Sequence, residues 1–267
     1  MRLRAAVSPC PNDTFIVHGI VSGAVSLPNA DFDWTLGDVE TLNRAALRGE
    51  YDITKLSFHA YLLVKDTYQL LRAGSALGFG CGPILVSNRL ISPADISSLR
   101  IVLPGDLTTA HLLFRLFCPD AKNKRFVRYD EIISAIKSGE ADAGVIIHED
   151  RFVFEAAGLH RVQDLGEWWE NETHCPIPLG CLAARRSIGG AFAGELDDLI
   201  RRSITAAEQN TPAAMPFILQ HAKQTDPAIV RQHIDTFVTD FTKDLGEQGD
   251  RAVETLFRMA KAARIIP

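Results

Sequence analysis

The stretch ADAGVIIHED, residues 141–150, ends an apolar run on an ionisable ring. Ala143 to Ile147 read as a short buried strand, with His148 at its edge and Glu149 and Asp150 behind it. A neutral imidazole, with an ordinary pKa of about 6.5, can accept a proton at neutral pH, and a strand end would give it a rigid seat. A core histidine satisfied by one hydrogen bond fits the same residues, so base and structural readings both stand. The HED triplet does not grow into the zinc motif HExxH, because Phe152 occupies the position of the second histidine. The five cysteines, Cys10, Cys81, Cys118, Cys175 and Cys181, are odd in number and irregular in spacing, with no CxxC. That pattern points to reduced, mostly buried thiols, with neither a disulfide framework nor a metal site.

Other polar groups cluster where strands give way to helices. TKLS places Lys55 and Ser57 at a strand end, as an ammonium and a hydroxyl for a carboxylate or sugar, or as a solvated lysine beside a capping serine. SPCPNDTF places Ser8 and Asn12 in the same setting of strand, loop and helix start. Without a GxSxG elbow, a nucleophilic serine is disfavoured. Thr108 and Thr109 open a helix after LPGDL, where free N–H groups and the helix dipole suit an anion, although a capping threonine explains the pair equally well. GFGCGP, residues 78–83, matches neither GxGxxG nor GxxxxGK, so it is a bend or a close backbone approach at a hinge rather than a phosphate cradle. Trp168 and Trp169 are adjacent and cannot face the same way, so one could stack on an aromatic ligand while the other packs in the core, although a pure core role for both is the commoner outcome.

The elements that must position these groups alternate. Arg2–Val7, 31–36 and 51–57 read as strands, separated by helical runs after SPCPND and over 39–49. After Asn88 the pattern restarts: strands at 100–105, 124–129 and 142–148, and helices at 108–117 and 130–139. A returning strand is expected near 178–184, and beyond Phe192 the pattern is almost entirely helical. This alternation predicts an α/β fold with mainly parallel sheets. RGEYDITKLSF (48–58) and SGEADAGVIIH (138–148) share one frame, which sets Ser57 and Phe58 opposite Ile147 and His148. Since ligands sit beyond the carboxyl ends of parallel strands, two such units would face each other across a cleft. The restart and the return predict a discontinuous first lobe, 1–86 plus 181–267, and a second lobe, 87–180, joined by two hinge segments. This is the layout of a type II periplasmic-binding-protein-like fold.

The 267-residue chain carries a net charge of −5, with no basic run, so a nucleic-acid partner is not expected. No window approaches the ~20 apolar residues of a membrane span. MRLRAAVSPCPNDTF lacks the apolar core of an export signal, so a cytoplasmic protein acting on a small molecule is expected. The amphipathic tail would allow a homodimer.

Taken in order, SPCPNDTF, TKLSFHAY, GCGP, PGDLTTA, ADAGVIIHEDRF, DLGEWWE and CPIPLG resemble the 1,4-dihydroxy-6-naphthoate synthases of the futalosine route to menaquinone. The match runs over about residues 8–182, with SPCPNDTF and GVIIHE its most specific parts. The resemblance implies a two-lobed fold, cyclic dehypoxanthinyl futalosine as substrate, and no metal or organic cofactor. It implies His148 as general base, with Lys55, Leu56, Ser57, Thr108 and Thr109 on the substrate; Ser8 and Asn12 join them as binding candidates. Two departures are mild: Thr54 stands where serine is common, and His18 follows FIV. Two rivals remain, the related chorismate dehydratase of the same pathway and a non-catalytic small-anion binding protein. Incubation with each substrate separates the first, and the missing export signal counts against the second.

Overall fold

The computed structural model of the chain describes residues 1–266. Among the described residues, eleven strands form two sheets. The first sheet is built from β1 (Arg2–Val7), β2 (Asp31–Leu36), β3 (Ile53–Ser57), β4 (Tyr68–Leu70), β5 (Ala76–Gly78) and β11 (Ile177–Arg185), in the order β2-β1-β3-β11-β4 with β5 also on β11. The second contains β6 (Ile84–Ser87), β7 (Ile101–Leu103), β8 (Lys124–Phe126), β9 (Ala143–Ile146) and β10 (His160–Asp164), in the order β10-β6-β9-β7-β8. Each sheet anchors one lobe.

Both sheets are mixed, which corrects the expectation of mainly parallel pairing. β1 runs parallel to β2 and β3, but β11 is antiparallel to β3, β4 and β5. β7 is parallel to β8 and β9, whereas β6 is antiparallel to β9 and β10. The physical reason is the double crossing: strands that leave or return between lobes enter a sheet from the opposite end. β10 escapes a periodicity reading because HRVQD is polar and only half-buried. The expected boundaries after residues 86 and 180 fall within β6 and β11. We propose that the lobes divide slightly earlier, at 79–83 and 174–176, where the chain passes between sheets.

The helices are α1 (Pro11–Val21), α2 (Val39–Leu47), α3 (Phe58–Val64), α4 (Thr109–Phe117), α5 (Ile132–Lys137), α6 (Leu165–Thr173), α7 (Gly190–Gln209), α8 (Thr211–His221), α9 (Pro227–Phe237), α10 (Asp240–Lys243) and α11 (Gly246–Ala262). None of the described helices is long and apolar enough to cross a membrane. The tail packs back on the first lobe. Leu196, Ile200 and Ile204 of α7 cluster with Phe15, Ile16 and Val17 of α1, each such buried side chain worth roughly 1.5–3 kcal/mol. Close approach is enforced at Gly19, where a Cβ would lie 2.9 Å from the Ser203 Cα. This packing fixes α1, and hence the loop that precedes it, against the first sheet.

Candidate active site

The loop between β1 and α1 carries the first polar group of residues. Pro11 opens α1 behind Cys10, as a proline without an N–H can, so Asn12, Asp13 and Thr14 lie in the first turn rather than at the cap. Asp13 is the hub. Its Oδ2 accepts from the Ser8 hydroxyl at 2.6 Å and the Ser8 N–H at 3.3 Å, and its Oδ1 accepts from Asn12 Nδ2 at 2.9 Å. Lys55 Nζ lies 2.8 Å from the same Oδ1 and donates to the Gly74 carbonyl at 3.1 Å. Both members of the ion pair are buried. Lys55 is therefore not the solvated lysine that TKLS permits; it ties β3 to the β1–α1 loop.

β3 passes into α3 without a loop, which leaves Ser57 at the strand's carboxyl end. Asn43 of α2, fully buried, brackets it: Nδ2 donates to Ser57 Oγ at 3.0 Å and Oδ1 accepts the Ser57 N–H at 2.9 Å. Nδ2 also reaches the Leu107 carbonyl of the second lobe at 3.3 Å, and Glu40 Oε2 accepts the Leu107 N–H at 3.0 Å. Gly180 lies opposite Ser57 in the β11–β3 register, where a Cβ would come within 3.0 Å of the Leu56 carbonyl and 3.3 Å of Lys55 Cε.

Thr108 is the cap of α4. Its hydroxyl accepts the His111 N–H at 3.2 Å and donates to the Gly105 carbonyl at 2.9 Å. Thr109 Oγ1 donates to the Leu179 carbonyl at 2.6 Å. Their side chains are thus engaged, and what this helix start offers a ligand is its first backbone N–H groups, which have no intrahelical partner.

His148 begins a single 3-10 turn directly after β9, with φ +56°. Left-handed backbone is uncommon outside glycine, though histidine is among the residues enriched there. The turn re-aims the ring away from the strand's alternation. Cys10 Sγ lies 3.4 Å from Nδ1, and the buried Nε2 has no protein partner. The Tyr129 ring meets the imidazole edge-on with centroids 5.0 Å apart. Burial lowers the His148 pKa from 6.5 to about 4, so the resting ring is neutral and has a lone pair to offer. Burial also pushes the Cys10 thiol well above its usual value, keeping it protonated.

Ser8, Asn12, Lys55 and Ser57 line one cleft of about 670 Å³, part of it open to solvent. Leu56, Thr108, Thr109 and His148 line the same cleft, so the structure brings together all eight sequence candidates, from both lobes. Its apolar walls include Leu56, Ile147, Leu179 and Phe237. Trp168 and Trp169 lie elsewhere, in the packing role that is the commoner outcome for such a pair, so neither is a stacking partner. Trp169 is fully buried and donates from Nε1 to the Pro176 carbonyl at 3.1 Å, while Trp168 packs on Phe117 with ring centroids 5.7 Å apart. Asn43, Phe237 and His233 were invisible to sequence reasoning, because each lies on an element whose local pattern signals packing alone, and Arg151, on the turn that starts at His148, carries no spacing signal of its own. Arg151 lines the cleft and donates to the Gly80 carbonyl at 2.8 Å. Among the described residues no group of three or more His, Cys, Asp or Glu side chains could hold a metal ion.

The family described as menaquinone biosynthesis matches residues 3–262. A protein of Thermus thermophilus called 1,4-dihydroxy-6-naphtoate synthase is 43% identical over 260 residues, covering 97% of this chain and 94% of its own. A protein of the same name from Streptomyces coelicolor is 40% identical over 274 residues, covering 99% of this chain and 95% of its own. A crystal structure of a protein from Archaeoglobus fulgidus superposes with a TM-score of 0.94 at 34% identity, covering 99% of this chain and 98% of that one. The alkanesulfonate-binding protein of Xanthomonas axonopodis pv. citri superposes with a TM-score of 0.72 at 16% identity, covering 100% and 94% of the two chains. That last likeness shows the fold alone, and it is the periplasmic-binding-protein-like fold the strand pattern predicts.

Proposed function

We propose a function from one premise: this chain belongs to the menaquinone-biosynthesis family. It is a carbon–carbon lyase that converts cyclic dehypoxanthinyl futalosine to 1,4-dihydroxy-6-naphthoate. The observation that supports this reading best is the environment of His148. In the tautomer whose Nδ1–H donates to Cys10 Sγ, Nε2, buried and without a protein partner, keeps the lone pair that can take a substrate proton in a cleft with apolar walls.

In this mechanism the bicyclic body of the substrate lies between Leu56, Ile147, Leu179 and Phe237. Its carboxylate meets the start of α4, where the N–H groups carry the attraction and Thr108 and Thr109 hold the helix end in place. Ser8 and Ser57 meet the polar fringe, with their hydroxyls oriented by Asp13 and Asn43. Lys55 acts chiefly by holding Asp13. His148 removes a proton from a sugar-derived hydroxyl or an activated carbon. A retro-aldol-like cleavage then releases the naphthoate and a small carbohydrate fragment, and aromatisation supplies the driving force. No electrons leave the substrate in that cleavage, so acid–base groups suffice.

His148→Ala should lower turnover by about 10²–10⁴-fold with the fold intact, the usual contribution of a positioned acid–base group. A folded alanine variant with near-normal turnover removes His148 from the mechanism. Incubation with chorismate should yield no product, while the futalosine-derived substrate yields the naphthoate; the reverse outcome assigns the chain to the dehydratase.

A further inference from the structure

We propose that His233 is a positioning residue for His148, locked in one tautomer by Asn12 so that its other ring nitrogen receives the Glu149 carboxyl across the lobe interface. This rests on the reading of His148 as the base. His233 is on α9, in a tail whose sequence pattern reads as packing, and it is fully buried.

The chain of donors fixes the tautomer. Asp13 sits beside the Lys55 ammonium and accepts from Asn12 at 2.9 Å, which makes the atom facing Asp13 the Asn12 amide nitrogen. The Asn12 oxygen must then face the other way, and it lies 2.9 Å from His233 Nε2. An amide oxygen only accepts, so Nε2 carries the hydrogen, and the neutral ring keeps its lone pair on Nδ1. Nδ1 faces Glu149 Oε2 at 3.9 Å, and both atoms are buried with no hydrogen-bond partner.

Two facing, unpartnered polar atoms in a buried site keep the full cost of their lost hydration unless a proton joins them. A protonated Glu149 satisfies both by donating its O–H to Nδ1. The gap exceeds a hydrogen bond by under an ångström, and it spans the two lobes, so a small further closure completes the bond. Burial pushes the Glu149 carboxyl up, with Asp150 adding to the rise and Lys223 opposing it. Burial, His148 and Arg151 all hold His233 neutral. The titratable and charged groups around the pair are His148, Asp150 and Arg151 on the 3-10 turn, Cys10 before α1, Tyr129 before α5 and Lys223 after α8.

The consequence for His148 is geometric. The two imidazoles stack, with centroids 6.1 Å apart and planes 18° from parallel, while Tyr129 meets the catalytic ring from another side. The Glu149 bond would therefore seat the residue beside the base against the same ring that backs the base.

The test combines spectroscopy and kinetics on the full chain. In protein carrying ring-¹⁵N histidine, the resonances lost in His233→Gln identify His233. They should show Nε2 protonated and Nδ1 bare between pH 6 and 8, values about half a unit below and 1.5 units above the ordinary histidine pKa. An Nδ1–H tautomer or an imidazolium overturns the proposal without reference to turnover. His233→Phe should lower kcat by about 10–100-fold, the usual cost of removing a partner that orients a functional histidine. KM should change less, and the acid limb of the kcat profile should move. His233→Gln, whose amide can still donate to Asn12, should recover part of kcat. Unchanged kcat and pH profile in folded His233→Phe refutes the positioning role. Near-normal turnover in His148→Ala would instead refute the base assignment and leave the tautomer result standing.

Discussion

At Lys55, sequence alone permits two assignments, a substrate contact or a solvated lysine, and its surroundings replace the second with a buried structural cation. A buried ion pair adds little net stability when whole, but removing one partner strands the other charge. Lys55→Met should therefore destabilise the fold by about 3–5 kcal/mol, because Asp13 stays buried beside Ser8 and Asn12. Adding Asp13→Asn should recover much of that loss, since the carboxylate is then gone. Urea unfolding of the two variants measures both effects; a stable Lys55→Met would free Lys55 for substrate. Ser57 illustrates what local pattern conveys well: a hydroxyl at a strand end is readable from TKLS, but its orientation by Asn43 is not, since α2 signals only an amphipathic helix.

Two elements set the cleft's shape, the start of α4 and the β3–β11 pair. Thr108→Ala should remove about 1 kcal/mol of stability through the lost cap, and Thr108→Ser should retain it. If substrate affinity falls in Thr108→Ala but not in Thr108→Ser, the cap contributes by holding the helix start. Gly180→Ala should be more damaging, because its Cβ would press on the Leu56 carbonyl, which is backbone and cannot swing aside. Overpacking of this kind costs typically about 1–3 kcal/mol, and here it would also displace Leu56 and Ser57, so turnover should fall together with the thermal midpoint. The helix at Thr109–Phe117 and the strand at Ile53–Ser57 were readable because consecutive residues carry their periodicity. β10 was not, because its pairing with β6 depends on backbone bonds that polar side chains do not advertise.

Across the whole molecule, the lobes share an apolar cluster, in which Leu56, Phe58 and Leu256 pack with Leu103, Leu113 and Phe114, and polar contacts ring the cleft beside it. Lys223 lies 3.9 Å from Asp130 Oδ2 and 5.3 Å from the Tyr129 ring centre, joining the segment after α8 to the second lobe beside His148. The fold also carries buried neutral histidines, and these set its response to acid. His59 is buried, and burial, helped by His111, lowers its pKa from 6.5 to about 4. The unfolded chain therefore binds a proton that the native state refuses between those values. Stability is full above pH 6.5, declines by about 1.4 kcal/mol per pH unit for this one group as the pH falls, and levels off below about 4. His148 shifts in the same direction, discounted for its partial exposure. Urea midpoints taken across that window should fall more gently in His59→Gln than in the parent chain; equal slopes would exclude His59 as a source.

The sequence by itself determined the alternation of strands and helices, the double crossing, and the segments that meet at the cleft. Those features reside in runs of neighbouring residues, whose spacing dictates which face is apolar and where an element stops. Only the tertiary structure decided that Lys55 is held by Asp13, that Trp168 and Trp169 pack away from the cleft, and that His233 backs the His148 ring. Each of those outcomes joins residues far apart in the chain, and such pairings follow from how layers pack and which buried polar atoms remain to be satisfied, not from any local period.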